Sequence, residues 1–147
     1  MQGSRRRLTV LALSLAACVT GAGRAPGEDA ARPSFVLELN RAEAQAGSCR
    51  LTFVAENRLG ADLAKAGYEI VLFDAKGLVE RLTVFDFGAM PAGKTLVRRF
   101  DLAGADCAGL SRILVNGAAS CEGPGIDAGA CAAGLETRNK TAIAFGH

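Results

Sequence analysis

Residues 68–87 of the chain have the sequence YEIVLFDAKGLVERLTVFDF, in which two runs rich in β-branched and aromatic residues flank a short polar segment. That segment is Asp74-Ala75-Lys76-Gly77. It suits a tight turn, because an Asp side chain can accept hydrogen bonds from the backbone that follows it and Gly adopts a positive φ without a steric penalty. Both runs carry apolar residues on both faces, which is typical of strands inside a sandwich. The stretch therefore predicts a central β-hairpin.

Further strands are predicted on either side of this hairpin, where apolar residues alternate with polar ones between turn-forming segments. They are residues 35–40, 49–56, 95–102, 110–116 and 138–145. The segment 57–67 is open between a long connection and one helical turn, and the Gly-rich segment 117–134 has no period and is expected to be a long loop. Seven strands without a long helix predict an all-β, immunoglobulin-like β-sandwich over residues 34–147.

The first 25 residues have the organisation of an export signal peptide. Three arginines at 5–7 precede an apolar run, residues 8–17, which is too short to span a bilayer and is followed by small residues. Residues 4–8, SRRRL, resemble the twin-arginine motif of Tat export, but the next two residues depart from its usual continuation, so Tat and Sec export both stay open. Residues 26–33 are a polar linker without periodicity.

Cys18 lies at the end of this leader, and two fates are open for it. Residues 15–18, LAAC, resemble a bacterial lipobox, in which Cys18 becomes a lipidated N-terminus. Small residues at 20–25 equally suit ordinary signal cleavage. Contact with the membrane is expected only if Cys18 is lipidated.

The charge of the mature chain argues against nucleic-acid binding. Four of the 17 basic residues lie before residue 26, which leaves 13 Lys or Arg against 15 Asp or Glu in the rest of the chain. A near-neutral domain without a basic stripe lacks the electrostatic surface that phosphate backbones require.

Four cysteines remain beyond the leader, namely Cys49, Cys107, Cys121 and Cys131. An even number in an exported domain predicts two disulfides. If the second strand pairs with the strand after the hairpin, Cys49 and Cys107 come together and Cys121–Cys131 closes the Gly-rich loop; pairing of Cys49 with Cys121 or Cys131 is the alternative. No C-x-x-C spacing is present and the only His is residue 147, so neither a metal nor another cofactor is expected.

Catalytic constellations are not evident in the sequence. A Ser or Cys nucleophile needs a nearby base, and the sole imidazole, His147, is the last residue. Asp74, Glu80 and Asp86 could supply a glycosidase pair, but they are better explained as turn and solvated-face residues. The sequence therefore predicts a non-enzymatic protein.

Phe85 and Phe87 are the candidate partner surface. They share one face of the second hairpin strand, with Leu82 and Val84 on the other, so one of the two sets is expected to be uncovered at the edge of the sandwich. An exposed aromatic pair would mark a protein contact. Burial of the two Phe residues in the core is the default alternative.

Four segments carry a family resemblance: CRLTFVAEN at 49–57, VLFDAKG at 71–77, LTVFDF at 82–87 and PAGK at 91–94. With them the chain resembles a family of small, uncharacterised bacterial envelope proteins that are identified by a twin-arginine signal sequence. The resemblance covers residues 35–145 and carries no active-site residue. It implies an envelope location and an accessory role near energised transport complexes, since such proteins often lie beside genes for TonB-type and proton-channel energy transducers.

These observations predict an exported periplasmic protein that acts through contacts with an envelope protein, for example a TonB- or Tol-like energy transducer. A lipid-anchored form is the alternative for its location. The alternative function is a periplasmic module that binds a small ligand or carbohydrate through the segment 117–134.

Overall fold

The computed structural model describes residues 32–147. The export signal, Cys18 and the linker up to residue 31 lie outside this range, so the predictions made for them stay predictions. The described residues form eight strands: β1 Ser34–Gln45, β2 Ser48–Arg58, β3 Leu63–Asp74, β4 Val79–Met90, β5 Thr95–Ala103, β6 Leu110–Glu122, β7 Leu135–Asn139 and β8 Ala144–Gly146. A 3-10 turn, Cys107–Gly109, precedes β6, and a four-residue helix, α1 Ala130–Ala133, precedes β7.

Two four-stranded sheets pack face to face, so the predicted β-sandwich is confirmed. The first sheet has the order β5-β2-β1-β7 and the second the order β4-β3-β6-β8. In the first six strands β2 lies between β1 and β5, and β3 lies between β4 and β6, as in immunoglobulin-like sandwiches. Strands β4 and β5 are therefore the edges on one side of the sandwich.

The central hairpin forms as the sequence predicts. The Oδ1 atom of Asp74 accepts hydrogen bonds from the backbone N–H groups of Lys76 (2.8 Å) and Leu78 (2.9 Å). Gly77 has a φ of 78°, and its N–H donates to the Asp74 carbonyl at 3.0 Å. The predicted turn is therefore confirmed: the Asp74 side chain accepts backbone hydrogen bonds, and Gly77 adopts a positive φ.

The predicted disulfide pairing is also confirmed. Strands β2 and β5 pair antiparallel with Cys49 opposite Leu102, which places the start of β2 beside the turn that follows β5. Cys107 lies in that turn and is bonded to Cys49, with a Cα–Cα distance of 5.0 Å. Cys121 and Cys131 form the second disulfide, with a Cα–Cα distance of 5.8 Å.

The remaining boundaries differ from the prediction because long-range pairing overrides local composition. Strand β3 begins at Leu63, so the helical turn considered within 57–67 is wrong. Strand β6 continues to Glu122 because β3 pairs with it as far as Lys65, so the predicted loop 117–134 is only partly a loop. The predicted strand 138–145 is two short strands, since the chain crosses there from the first sheet to the second. This division makes eight strands rather than seven.

Candidate functional site

The candidate partner surface at Phe85 and Phe87 is wrong, because both side chains point into the core. They are 3 % and 1 % exposed. Phe53 from β2 meets both rings edge-on with centroid distances of 5.8 Å, and Phe100 from β5 stacks on Phe85 at 4.1 Å. The two Phe residues therefore hold the sheets together and are not available to a partner.

The uncovered set is the opposite face of β4 and the turn before it. Among the described residues, five large apolar side chains are strongly exposed, and four of them lie here: Leu78 (62 %), Val79 (61 %), Leu82 (57 %) and Val84 (53 %). We call these four residues the β4 apolar set. Scattered exposed apolar residues are ordinary, but a contiguous group is a mark of an interaction surface.

Neighbouring strands extend the β4 apolar set across the second sheet. Val71 on β3 lies opposite Leu82 on β4 and opposite Leu114 on β6, which makes an apolar row across three strands, although Val71 itself is only 6 % exposed. Phe73 lies opposite Val79, and the Arg112 guanidinium lies 5.5 Å from the centroid of its ring. The outer face of the second sheet is thus apolar at its centre.

The outer face of the first sheet differs in chemistry. Glu43, Arg50 and Asp101 lie opposite one another on β1, β2 and β5. Arg50 donates two hydrogen bonds to the Asp101 carboxylate, at 2.7 Å and 3.0 Å. This contact holds the pKa of Asp101 below its ordinary value. Val97 on β5, 54 % exposed, is the one strongly exposed large apolar side chain of this face within residues 32–147.

Arginines link the two edge strands. Arg98 of β5 donates from Nε to the Phe87 carbonyl at 2.8 Å and from Nη2 to the Ala89 carbonyl at 3.4 Å. Arg81 of β4 donates to the Ala103 carbonyl at 3.0 Å. The Arg98 guanidinium therefore joins the edge strand of the first sheet to carbonyl groups near the end of β4.

A separate open groove of about 520 Å³ lies at one end of the sandwich. Arg41 and Lys140 contribute cations to its lining, and Asn40 and Thr141 contribute neutral polar side chains. Cys107 also lines it, so the groove borders the first disulfide. None of its lining residues belongs to the segment 117–134, which was predicted to bind a small ligand.

The residues that could bind a metal ion are dispersed in the part of the chain that is described. Within residues 32–147, no three His, Cys, Asp or Glu side chains are grouped as metal ligands. His147 lies beside Thr137, with 3.3 Å between Nδ1 and Oγ1. None of the helices formed by these residues is long and apolar enough to cross a membrane.

Comparisons of the chain with protein-family models, curated proteins and solved structures found no match. The resemblance to the twin-arginine family therefore stays a prediction.

The residues predicted as the partner surface, Phe85 and Phe87, lie on the same strand as Leu82 and Val84 but on its inner face. Alternation separates Leu82 and Val84 from Phe85 and Phe87, and the expectation that one set is uncovered is confirmed. The residue types favoured burial of the aromatic pair, which was the default alternative. Leu78 and Val79 directly follow the polar turn, and their position there is the sequence signal for their exposure.

Proposed function

We propose that this protein is a non-enzymatic periplasmic β-sandwich protein that acts through protein contacts, as an accessory subunit of a TonB- or Tol-like envelope energy-transduction complex. The observation that carries the proposal is the β4 apolar set, which holds four of the five strongly exposed large apolar side chains within residues 32–147. Burying such residues against a partner gains about 25 cal/mol per Å² of apolar surface. The outer face of the second sheet is the contact surface.

A periplasmic location is supported by the two disulfides. Disulfides form and persist in oxidising compartments and are rare in the cytosol of mesophiles. The export signal predicted at residues 1–25 supports the same location. A lipid-anchored form, with Cys18 as the lipidated residue, is the alternative location, and only that form would touch the membrane directly.

Crosslinking in intact cells tests this function, with capture of the protein from solubilised envelopes and identification of what it recovers. We expect the wild type to recover subunits of an energy-transduction complex. The double variant Leu82→Lys/Val84→Lys should lose them, because charges would replace apolar side chains at the contact. Substitutions at exposed sites usually change stability by no more than about 0.5 kcal/mol, so the variant should remain folded.

Val97→Lys is the control, because it introduces one lysine at a Val on the other sheet that is as exposed as Val84. It should recover the same partners as the wild type. Recovery of no envelope complex by the wild type would refute the proposal. Equal recovery by all three proteins would show that the β4 apolar set is not the contact.

Small-ligand binding is the second candidate function, and the groove beside Arg41 and Lys140 favours an anionic ligand. Two cations line this groove, and no acidic side chain does so among the residues described. Arg41 also contacts the Glu43 carboxylate at 3.4 Å, which leaves Lys140 as the main cation for a ligand. A ligand present at 100 times its Kd stabilises the folded state by about 2.7 kcal/mol. A thermal-shift screen of carboxylated, sulfated and phosphorylated sugars tests this, with Lys140→Gln as the variant that should lose the shift.

A further inference from the structure

The outward residues of β4 have an ordered pattern of charge. Side chains alternate between the two faces of a strand, so from residue 80 onward every second residue shares the outer face. The pairing with β3 is irregular just before this stretch: Phe73 lies opposite Val79 and Leu72 lies opposite Arg81, so Glu80 has no residue opposite it on β3. From residue 80 to residue 86 these are Glu80, Leu82, Val84 and Asp86, and all four are exposed. The outer face of this strand is therefore acidic, apolar, apolar and acidic, in that order.

The same stretch lies on an open sheet edge. Within residues 32–147, strand β4 pairs with β3 on one side and is the last strand of its sheet. Alternate N–H and C=O groups of an edge strand have no ladder partner and can pair with an added strand. Arg98 covers this edge only at Phe87 and Ala89, beyond the acidic–apolar–apolar–acidic stretch.

The charges disfavour a second copy of this chain as the added strand. An in-register parallel pair of β4 strands would set Glu80 opposite Glu80 and Asp86 opposite Asp86. An antiparallel pair centred on Thr83 would match Leu82 with Val84 but would set Glu80 opposite Asp86. Like charges directly opposite each other destabilise a strand pair, so both registers that align the apolar residues of two β4 strands are disfavoured.

We propose that β4 accepts an extended segment of the partner protein as a fifth strand of the second sheet. This inference rests on the proposed function and specifies the partner's chemistry: a basic residue, two apolar residues and a second basic residue at alternate positions. The basic residues pair with Glu80 and Asp86, and the apolar residues pack on Leu82 and Val84. The pattern is the same in both directions, so a parallel or an antiparallel strand makes the same pairs. Main-chain hydrogen bonds supply affinity, and the alternate side chains supply specificity.

A labelled peptide, TKTVTVTKT, tests the pattern with the exported protein purified from the periplasm with its disulfides formed. Fluorescence anisotropy should show binding, and the charge-reversed peptide TETVTVTET should bind about tenfold more weakly, because two cross-strand pairs change sign. Hydrogen exchange should slow at β4 amides between residues 80 and 86 when the first peptide is bound. Binding without that protection would overturn strand addition.

The variant Glu80→Lys/Asp86→Asn tests whether the carboxylates at positions 80 and 86 decide which of the two peptides binds more tightly. Asn at position 86 keeps a side-chain oxygen for the hydrogen bond that Asp86 accepts from the Gly88 N–H at 2.8 Å. The variant should prefer TETVTVTET over TKTVTVTKT, whereas Val97→Lys should keep the wild-type preference. An unchanged preference in the charge variant would show that these carboxylates do not select the partner.

The outcomes separate this inference from the proposed function. If neither peptide binds but crosslinking to an envelope complex is lost in Leu82→Lys/Val84→Lys, strand addition is wrong and the contact surface survives. If TKTVTVTKT binds with protection of β4 but no envelope complex is recovered, the edge inference survives and the proposed function fails. Sedimentation showing a dimer that Leu82→Lys dissolves would make a second copy the occupant and overturn the inference.

Discussion

Tyr68 is the only tyrosine of a chain without tryptophan, and it lies fully buried on β3. Its hydroxyl donates a hydrogen bond to the Cys131 carbonyl at 3.0 Å, which ties the core to the loop closed by the second disulfide. The ring packs on Phe35 with a centroid distance of 5.4 Å. Burial raises the pKa of the phenol, because ionisation would place a charge in the core.

Removing this hydroxyl should destabilise the protein by about 1–3 kcal/mol, since Tyr68→Phe keeps the ring but leaves a buried carbonyl without its phenol donor. Urea unfolding measures the loss of stability in Tyr68→Phe.

The pKa of the Tyr68 phenol is higher in the folded than in the unfolded protein, so its contribution to stability is present below about pH 10 and falls as the pH rises beyond that. Absorbance at 295 nm follows this single phenol. Ionisation near pH 10 while the protein stays folded would contradict its burial.

Asn57 shows how one buried polar side chain fixes two connections. Its Nδ2 donates to the carbonyls of Ala61 (2.8 Å) and Met90 (2.7 Å), and its Oδ1 accepts from the Leu59 N–H at 3.0 Å. The β2–β3 connection is thereby bound to the end of β4. Sequence alone marks such an Asn as a turn residue and gives no sign of the partner 33 positions away.

At the scale of elements, the pairing of β2 with β5 brings together an ion pair whose contribution to stability depends on pH. Arg50 lies opposite Asp101, so the ion pair follows directly from the strand register. Both side chains are partly exposed, and water screens their attraction. The contact is therefore a modest contributor to stability.

Its pH dependence has a definite sign. The pKa of Asp101 is lowered mainly by its hydrogen bonds with Arg50, so its contribution is present above the unfolded pKa and is lost as the pH falls below about 4. Asp101→Asn should therefore lower the urea midpoint slightly at pH 6 and leave it closer to the wild type at pH 3. Glu38→Gln on β1 is the control. Among the described hydrogen bonds, the Glu38 carboxylate accepts one from the Asn40 amide and none from an arginine. A difference that grows toward low pH would contradict the assignment.

At the scale of the whole molecule, the two disulfides constrain the unfolded chain to different extents. Cys49–Cys107 spans 58 residues and Cys121–Cys131 spans 10. Loop-closure entropy predicts that removal of the first costs about 4 kcal/mol and removal of the second about 3 kcal/mol. For a domain of ordinary stability either loss is a large fraction of the total.

The paired variants Cys49→Ala/Cys107→Ala and Cys121→Ala/Cys131→Ala test this expectation by urea unfolding under oxidising conditions. Each should unfold at lower urea than the wild type, the first variant more so. The wild type unfolded in the presence of a reductant is the reference for the loss of both bonds. A variant as stable as the wild type would show that its disulfide does not restrict the unfolded state.

Local signals explain the parts of the fold that the sequence predicted. The Asp74–Gly77 turn, the alternation in β2 and the even number of cysteines each depend on residues close together in the chain or on simple topology. The extension of β6 through Gly117 could not be predicted, because it depends on pairing with β3 some 50 residues earlier. The division of the last strand likewise depends on distant partners, because β7 pairs with β1 in the first sheet and β8 pairs with β6 in the second.

By itself, the sequence determined that this chain is a disulfide-bonded β-sandwich with a central hairpin and that one face of β4 would be left uncovered. Only the tertiary structure decided which face that is. Alternation defines two faces of a strand, but the packing of Phe53 and Phe100 from the other sheet makes the Phe85 face the inner one. The same packing leaves Leu82 and Val84 in water between two carboxylates, on a strand that is the edge of its sheet in the part of the chain described.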